Sequence, residues 1–276
     1  HRACTGCGKQ LSRSRAARMP RKGTEMNENE KNAVLKGSML SEVCFPNIAM
    51  MYKNAGLDFT IIDCEHGAFD YSQVAATVTA FRLSGVRAIV RIPEIRREPI
   101  TKYLDMGADG LLAPMVKDAD DAKRLVGFGK YQPTGNRGLS INRAHSRYAP
   151  GDMNEYLAAA NRRVRLYAQI ELVSALEDVE RIAAVDGIDG IFVGPTDLSM
   201  ALGVFNRLDS PVLLDACRRV AEAAGAAGKV SGIITGNAGL ISACRAFGMS
   251  VFCMGSETRL LSSGLSGIAG KLSDIG

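Results

Sequence analysis

From residue 32 onward, short apolar or β-branched runs alternate with longer stretches of helical character. Runs of the first kind fall at 35–40 (LKGSML), 58–63 (DFTIID), 88–92 (AIVRI), 110–113 (GLLA), 166–170 (LYAQI), 190–193 (GIFV), 230–234 (VSGII) and 250–254 (SVFCM). Helix-like stretches lie between them at 43–55, 70–84, 98–106, 118–128, 174–185, 211–227 and 237–247, with a last one at 257–273. Strands alternating with helices of this length predict parallel βαβ units. Ala55-Gly56-Leu57-Asp58, Met106-Gly107-Ala108-Asp109-Gly110 and Phe247-Gly248-Met249 place a glycine where a helix ends and a strand follows, the position of a left-handed cap. Eight such units in one domain spanning 32–276 predict an α/β fold, a (β/α)8 TIM barrel. An open doubly wound sheet is the competing arrangement, but no G-x-G-x-x-G follows the early strands. The segment 129–164 is longer than a plain helix–strand link; it holds Pro133, Gly135, Arg137-Gly138 and a helix expected at 152–161.

Charge separates the chain into two parts. The formal net charge is +5. Residues 1–31 hold eight basic and three acidic side chains, so the whole excess sits there and residues 32–276 are neutral. That extension has little apolar content and no periodicity, and is expected to be disordered. A neutral body lacks the basic face that non-specific nucleic-acid binding needs, and the absence of Trp removes the strongest base-stacking platform. No apolar run reaches the ~20 residues of a membrane span. Seven cysteines form no framework; Cys4-x-x-Cys7 has no second pair at zinc-ribbon spacing, and the odd count reads as reduced thiols in a cytoplasmic protein.

Reactive side chains concentrate at the ends of the strand signals, where barrel chemistry sits. The second strand ends in Asp63-Cys64-Glu65-His66, the third in Arg91, the fifth in Gln169-Ile170-Glu171 and the sixth in Gly194-Pro195-Thr196-Asp197. Glu171 and Asp197 terminate consecutive strands about 4.8 Å apart, so the two carboxylates can share Mg²⁺ or Mn²⁺; the bland alternative has Asp197 capping a turn and Glu171 paired with a basic residue. Asp63, three residues before His66, is placed to orient its ring for proton transfer. Glu65 is a third acid or a salt-bridge partner. Arg91 calls for an anion at the barrel mouth, a carboxylate or enolate, or else a structural salt bridge. His145, between Arg143 and Arg147, is expected to be solvated. No G-x-S-x-G, no P-loop and no lysine at a strand end are present, which leaves metal-assisted chemistry.

With these residues in order, the chain resembles the HpcH/HpaI aldolase family of metal-dependent, class II pyruvate aldolases, which act on 4-hydroxy-2-oxoheptanedioate, 2-dehydro-3-deoxyglucarate or 2-keto-3-deoxy-L-rhamnonate. The resemblance covers about residues 34–260 and rests on Ala55-Gly56-x-Asp58, Asp63-x-Glu65-His66, Val90-Arg91, Leu104-Asp105-x-Gly107-Ala108, Pro114-Met115-Val116, Tyr131-x-Pro133-x-Gly135-x-Arg137-Gly138, Gln169-Ile170-Glu171 and Gly194-Pro195-x-Asp197-Leu198-Ser199. It implies reversible aldol cleavage of a 4-hydroxy-2-keto acid to pyruvate, or a close 2-keto acid, and an aldehyde. It further implies a divalent metal (Mg²⁺ or Mn²⁺, with Co²⁺ a further option) on Glu171 and Asp197, a His66–Asp63 proton-transfer dyad, Arg91 on the enolate, and Gln169 beside the metal. The segment Gly194, Pro195, Thr196 and Asp197 would hold the substrate carboxylate, and the assembly would be a homo-oligomer, a hexamer or trimer, with the last helix against a neighbour. Leu172 stands where the family commonly has Thr, and Ile92-Pro93-Glu94-Ile95-Arg96-Arg97 is more charged than usual. The competing readings are a citramalyl/malyl-CoA lyase, for which Arg143 and Arg147 are the only basic cluster, and a non-catalytic binding or scaffold protein on the same fold.

Overall fold

A computed structural model describes residues 33–275. The basic extension 1–31, with Cys4 and Cys7, lies outside the described residues. Eight strands, β1 (Leu35–Leu40), β2 (Phe59–Asp63), β3 (Arg87–Arg91), β4 (Gly110–Ala113), β5 (Arg165–Ile170), β6 (Gly190–Val193), β7 (Val230–Ile234) and β8 (Val251–Ser256), pair in parallel, each with the next. β8 also pairs with β1, from Leu35 opposite Val251, so the sheet closes and the open-sheet alternative is excluded. The helices are α1 (Ile48–Ala55), α2 (Tyr71–Ser84), α3 (Arg97–Asp105), α4 (Ala119–Gly129), α5 (Met153–Arg163), α6 (Val173–Glu177), α7 (Val179–Ala184), α8 (Pro195–Ala201), α9 (Pro211–Ala226), α10 (Ala238–Ala246) and α11 (Glu257–Ser273). No helix among the described residues is long and apolar enough to cross a membrane.

The glycines expected to end helices do so in the left-handed region, with φ of 74° at Gly56 and 100° at Gly107 and Gly248. The aspartate two residues after such a glycine has a separate task. Asp58, Asp109 and Asp189 each precede an even-numbered strand, and each carboxylate accepts the N–H of the second residue of the odd-numbered strand before it: Lys36 at 2.9 Å, Ala88 at 3.0 Å and Leu166 at 2.9 Å. The repeated Gly-x-Asp therefore both stops a helix and satisfies a strand donor at the N-terminal end of the barrel.

Three helical assignments differ from the sequence pattern. The first helix begins at Ile48, not 43, because the Glu257 carboxylate accepts the backbone N–H groups of Ser41, Glu42 and Val43 and holds them in a loop. The stretch 174–185 is two helices broken at Asp178, whose carboxylate is turned to the N–H of Ala119 (2.8 Å). Residues 195–201, expected as a turn, form a short helix opened by Pro195, whose missing N–H costs nothing at a first-turn position.

Alternation along the strands sorts side chains into two layers. Outward residues pack against the helices, while Phe59, Ile61, Ile89, Leu112, Tyr167, Phe192 and Val251 fill the barrel interior. Gly37 is part of this packing: a Cβ there would lie 2.5 Å from the Phe59 ring.

Candidate functional site

The same alternation carries the polar strand ends inward. Asp63 follows Phe59 and Ile61 at spacing two, Arg91 follows Ile89, and Gln169 and Glu171 follow Tyr167. All four are buried, at the end of the barrel where the strands finish. Asp63 and Arg91 are direct partners in the β2–β3 register. Asp63 accepts two hydrogen bonds from Arg91, 2.9 Å from Nε and 2.6 Å from Nη2, a bidentate charge-assisted pair. Arg91 Nη1 lies 3.1 Å from Glu65 Oε2, which makes Glu65 the second acid on one guanidinium. Burial works against the charge of Arg91, but the Asp63 hydrogen bond and the two nearby carboxylates raise its pKa above the ordinary arginine value.

This clamp corrects the expected His66–Asp63 arrangement. Asp63 Oδ1 accepts the backbone N–H groups of Glu65 (3.1 Å) and His66 (3.3 Å) together with Arg91 Nε, and Oδ2 accepts Arg91 Nη2. The imidazole is 72% exposed, and its Nε2 lies 3.9 Å from Glu65 Oε2. The chain turns at Asp63 to satisfy main-chain donors, and that turn carries the ring to the rim, away from the aspartate. His145 is a second correction. It is buried, not solvated: its ring nitrogens meet the Tyr156 hydroxyl and the Ser140 carbonyl (2.9 Å), with Asp105 at 3.5 Å. It sits in the connection from α4 to β5, at the opposite end of the barrel from Arg91, and burial holds its pKa below the ordinary value.

Glu171 is held from two sides. The Met115 N–H donates to Oε1 at 2.6 Å, and the Gln169 amide donates to Oε2. Burial raises the Glu171 pKa, the two hydrogen bonds oppose that rise, and the charges of Glu65 and Asp197 add to it. Glu65 is raised in the same way, by burial first, against the pull of Arg91. Asp197 lies in the first turn of α8, partly buried, with Gly194 as the residue before that helix. The first turn leaves backbone N–H groups of Thr196 and Asp197 without an intrahelical acceptor. Gly194 is required by space: with φ −95° it is not a left-handed residue, but a Cβ would stand 2.5 Å from Glu171 Oε2 and 2.7 Å from Gln169 Nε2.

A divalent cation fits this donor set. Gln169 Oε1 is a buried acceptor with no partner, beside a buried carboxylate whose pKa is raised and a second carboxylate whose charge reaches it. Among the described residues no three of His, Cys, Asp and Glu form a closed cage, so the set suits an ion that takes few protein ligands and keeps positions for other oxygens. Two parts of the site are not legible from side chains along the sequence. The Met115 N–H is a main-chain donor, marked only as a residue after a proline at a strand end. The Glu65–Arg91 contact was one of two options, and geometry selects it.

Comparisons with known proteins identify the family and the fold. Residues 42–263 match the HpcH/HpaI aldolase/citrate lyase family. The chain is 37% identical over 224 residues to 4-hydroxy-2-oxovalerate aldolase of Rhodococcus jostii, covering 80% of this chain and 85% of the relative. It is 36% identical over 208 residues to hydroxypyruvate/pyruvate aldolase of Rhizorhabdus wittichii, covering 75% and 81%. Among solved structures, an HpcH/HpaI aldolase from Desulfitobacterium hafniense superposes with a TM-score of 0.83 at 30% identity, over 87% of this chain and 93% of that one.

Proposed function

The chain belongs to the HpcH/HpaI aldolase/citrate lyase family, and from that membership we propose that it is a carbon–carbon lyase, a class II aldolase. It reversibly cleaves a 4-hydroxy-2-keto acid to pyruvate and an aldehyde. Glu171 and Asp197 would hold the divalent metal, Mg²⁺ or Mn²⁺, with Co²⁺ as a third option. When bound, that ion supplies Lewis-acid stabilisation of enolate charge. Arg91, fixed by Asp63 and Glu65, presents its remaining N–H capacity to the C2 oxygen as charge develops there. The first-turn N–H groups of Thr196 and Asp197, beside Gly194 and Pro195, hold the substrate carboxylate. Gln169 keeps Glu171 in place and faces the same oxygens. His66, carried by the turn that Asp63 secures, takes the 4-hydroxyl proton through a water during cleavage and serves removal of the pyruvate methyl proton in reverse.

The observation that carries this reading is the pair of held groups at one mouth: a guanidinium clamped by Asp63, and a buried Glu171 carboxylate set within reach of the charge of Asp197. The CoA-lyase alternative loses its support, because Arg143 and Arg147 lie in the α4–β5 connection at the far end of the barrel. The working form is a homo-oligomer, a hexamer or trimer. Leu260, Leu261, Leu265, Ile268 and Leu272 of α11 are exposed, an apolar face suited to a neighbouring subunit. The five cysteines among the described residues are free, which accords with a cytoplasmic setting.

The test is deuterium exchange into the pyruvate methyl group in D₂O, followed by proton NMR with Mg²⁺ or Mn²⁺. Wild-type protein should exchange, Asp197→Ala should not, and Arg91→Ala should slow turnover by ~100-fold or more, as loss of an oxyanion donor does. Chelator-insensitive exchange, or borohydride trapping of pyruvate on a lysine, would overturn the reading. No exchange with any divalent metal would favour a scaffold protein.

A further inference from the structure

Among the described residues, four non-glycine residues have positive φ: Met115, Arg147, Tyr148 and Asn206. Met115, at φ 52°, follows Pro114 at the C-terminal end of β4 and so stands at the mouth of the barrel. Asparagine is at home in the left-handed region, whereas methionine gains nothing there from its side chain. Met115 is 48% exposed, so core packing does not hold this backbone in place. What the conformation achieves is a direction. It turns the Met115 N–H onto Oε1 of Glu171 at 2.6 Å, a short bond to a buried carboxylate. The second oxygen of Glu171 is occupied by the Gln169 amide, and Gly194 leaves the room in which this oxygen sits. Each oxygen therefore has one fixed donor and a lone pair left over.

We propose that Met115 is a positioning residue for Glu171: its left-handed backbone holds the carboxylate oriented for a divalent cation, while its side chain is dispensable. The inference rests on the reading of Glu171 as a cation ligand. It separates backbone from side chain, and so can be tested by substitutions that alter one and not the other. A β-branched residue disfavours the left-handed region while remaining apolar and of similar size, whereas glycine and asparagine enter it readily.

The experiment is Mn²⁺ titration of the substrate-free full chain, with free Mn²⁺ read by electron paramagnetic resonance, for wild type, Met115→Ile, Met115→Gly, Met115→Asn and Glu171→Gln. Met115→Ile should weaken Mn²⁺ binding by about 10-fold or more, as the turned amide swings off Glu171 and one charge-assisted bond is lost. Met115→Gly and Met115→Asn should stay within about 3-fold of wild type, since both keep the N–H and the backbone angle. Circular dichroism reports folding of each variant. If Met115→Ile does not fold, Met115→Gly still decides: a 10-fold loss of affinity there overturns the proposal, because the side chain is then what matters. Unchanged affinity in folded Met115→Ile also overturns it. If Glu171→Gln leaves Mn²⁺ binding unchanged, or the wild type does not bind Mn²⁺, the reading of Glu171 as a ligand fails and this inference falls with it.

Discussion

Gly194→Ala places the geometry of the site under a controlled strain. The backbone at 194 has φ −95° and ψ 85°, so an alanine is not forced into the left-handed region. The perturbation is one methyl group. Its carbon would lie 2.5 Å from Glu171 Oε2, 2.7 Å from Gln169 Nε2 and 3.1 Å from Glu171 Cβ. Van der Waals contact begins near ~3.5 Å, so the carboxylate and the amide must retreat by about 1 Å. Both are buried, and Glu171 Oε1 is tethered to the Met115 N–H, so the displacement cannot be absorbed by a swing into solvent. A misplacement of ~1 Å in an active site lowers the rate by about 100-fold, which is roughly 2.7 kcal/mol on the barrier. The accompanying loss of stability from overpacking is expected at about 1–3 kcal/mol, small enough to leave the protein folded. Deuterium exchange into pyruvate gives the rate and urea denaturation gives the stability. Gly127→Ala is the matched control, because a Cβ there meets nothing within 4 Å inside α4. It should keep full activity and gain about 0.5–1 kcal/mol of stability. A Gly194→Ala protein with wild-type exchange, or a loss equal to that of the control, would refute the steric argument.

Asp63→Asn should cost roughly 3 kcal/mol in urea denaturation, because it leaves the buried Arg91 guanidinium without its bidentate partner; a loss below about 1 kcal/mol would show that Glu65 alone satisfies Arg91. For His145, burial keeps the folded pKa below the ordinary value. The unfolded chain therefore takes up the proton first, so stability is complete above pH ~6.5 and declines as pH falls below it. Between about pH 7.5 and about pH 5.5 the wild-type Tm should fall further than that of His145→Gln, and equal slopes would show that other groups govern acid sensitivity. Leu261→Glu with Leu265→Glu should shift the light-scattering mass towards the monomer, since both leucines are exposed on α11; an unchanged mass would place the subunit interface elsewhere.

The eight short apolar runs alternating with helical stretches, and the helix-ending glycines, were sufficient for a (β/α)8 barrel, because both are local consequences of backbone geometry. β1, β4, β6 and β7 appear at the residues their apolar runs marked. The alternation that puts Phe59 and Ile61 in the barrel interior also puts Asp63 there, and the same holds from Tyr167 to Gln169 and Glu171. The inward set of the candidate site is thus legible from residue spacing along each strand. Directions that depend on residues far apart in the chain are not. Glu257 shortens α1 by capturing N–H groups more than 200 positions earlier, and nothing near residue 43 announces it. Asp63 is close to His66 in sequence but spends its carboxylate on Arg91 and on main-chain donors, so the imidazole goes to Glu65 and to the rim. His145 reads as solvated between two arginines, yet α5 and Asp105 close over it.

Strand parity, helix stops and the residue types at each strand end were determined by the sequence alone, since each is set within a few residues. Parallel pairing of neighbouring strands brought β3 beside β2, β5 beside β4 and β6 beside β5, and that pairing decided which donor reaches which acceptor. The Met115 N–H on Glu171, the missing Cβ of Gly194 and the two acids on Arg91 exist only once strands distant in the chain lie about 4.8 Å apart. A hydrogen bond selects its partner by distance in space, and only the folded barrel fixes that distance.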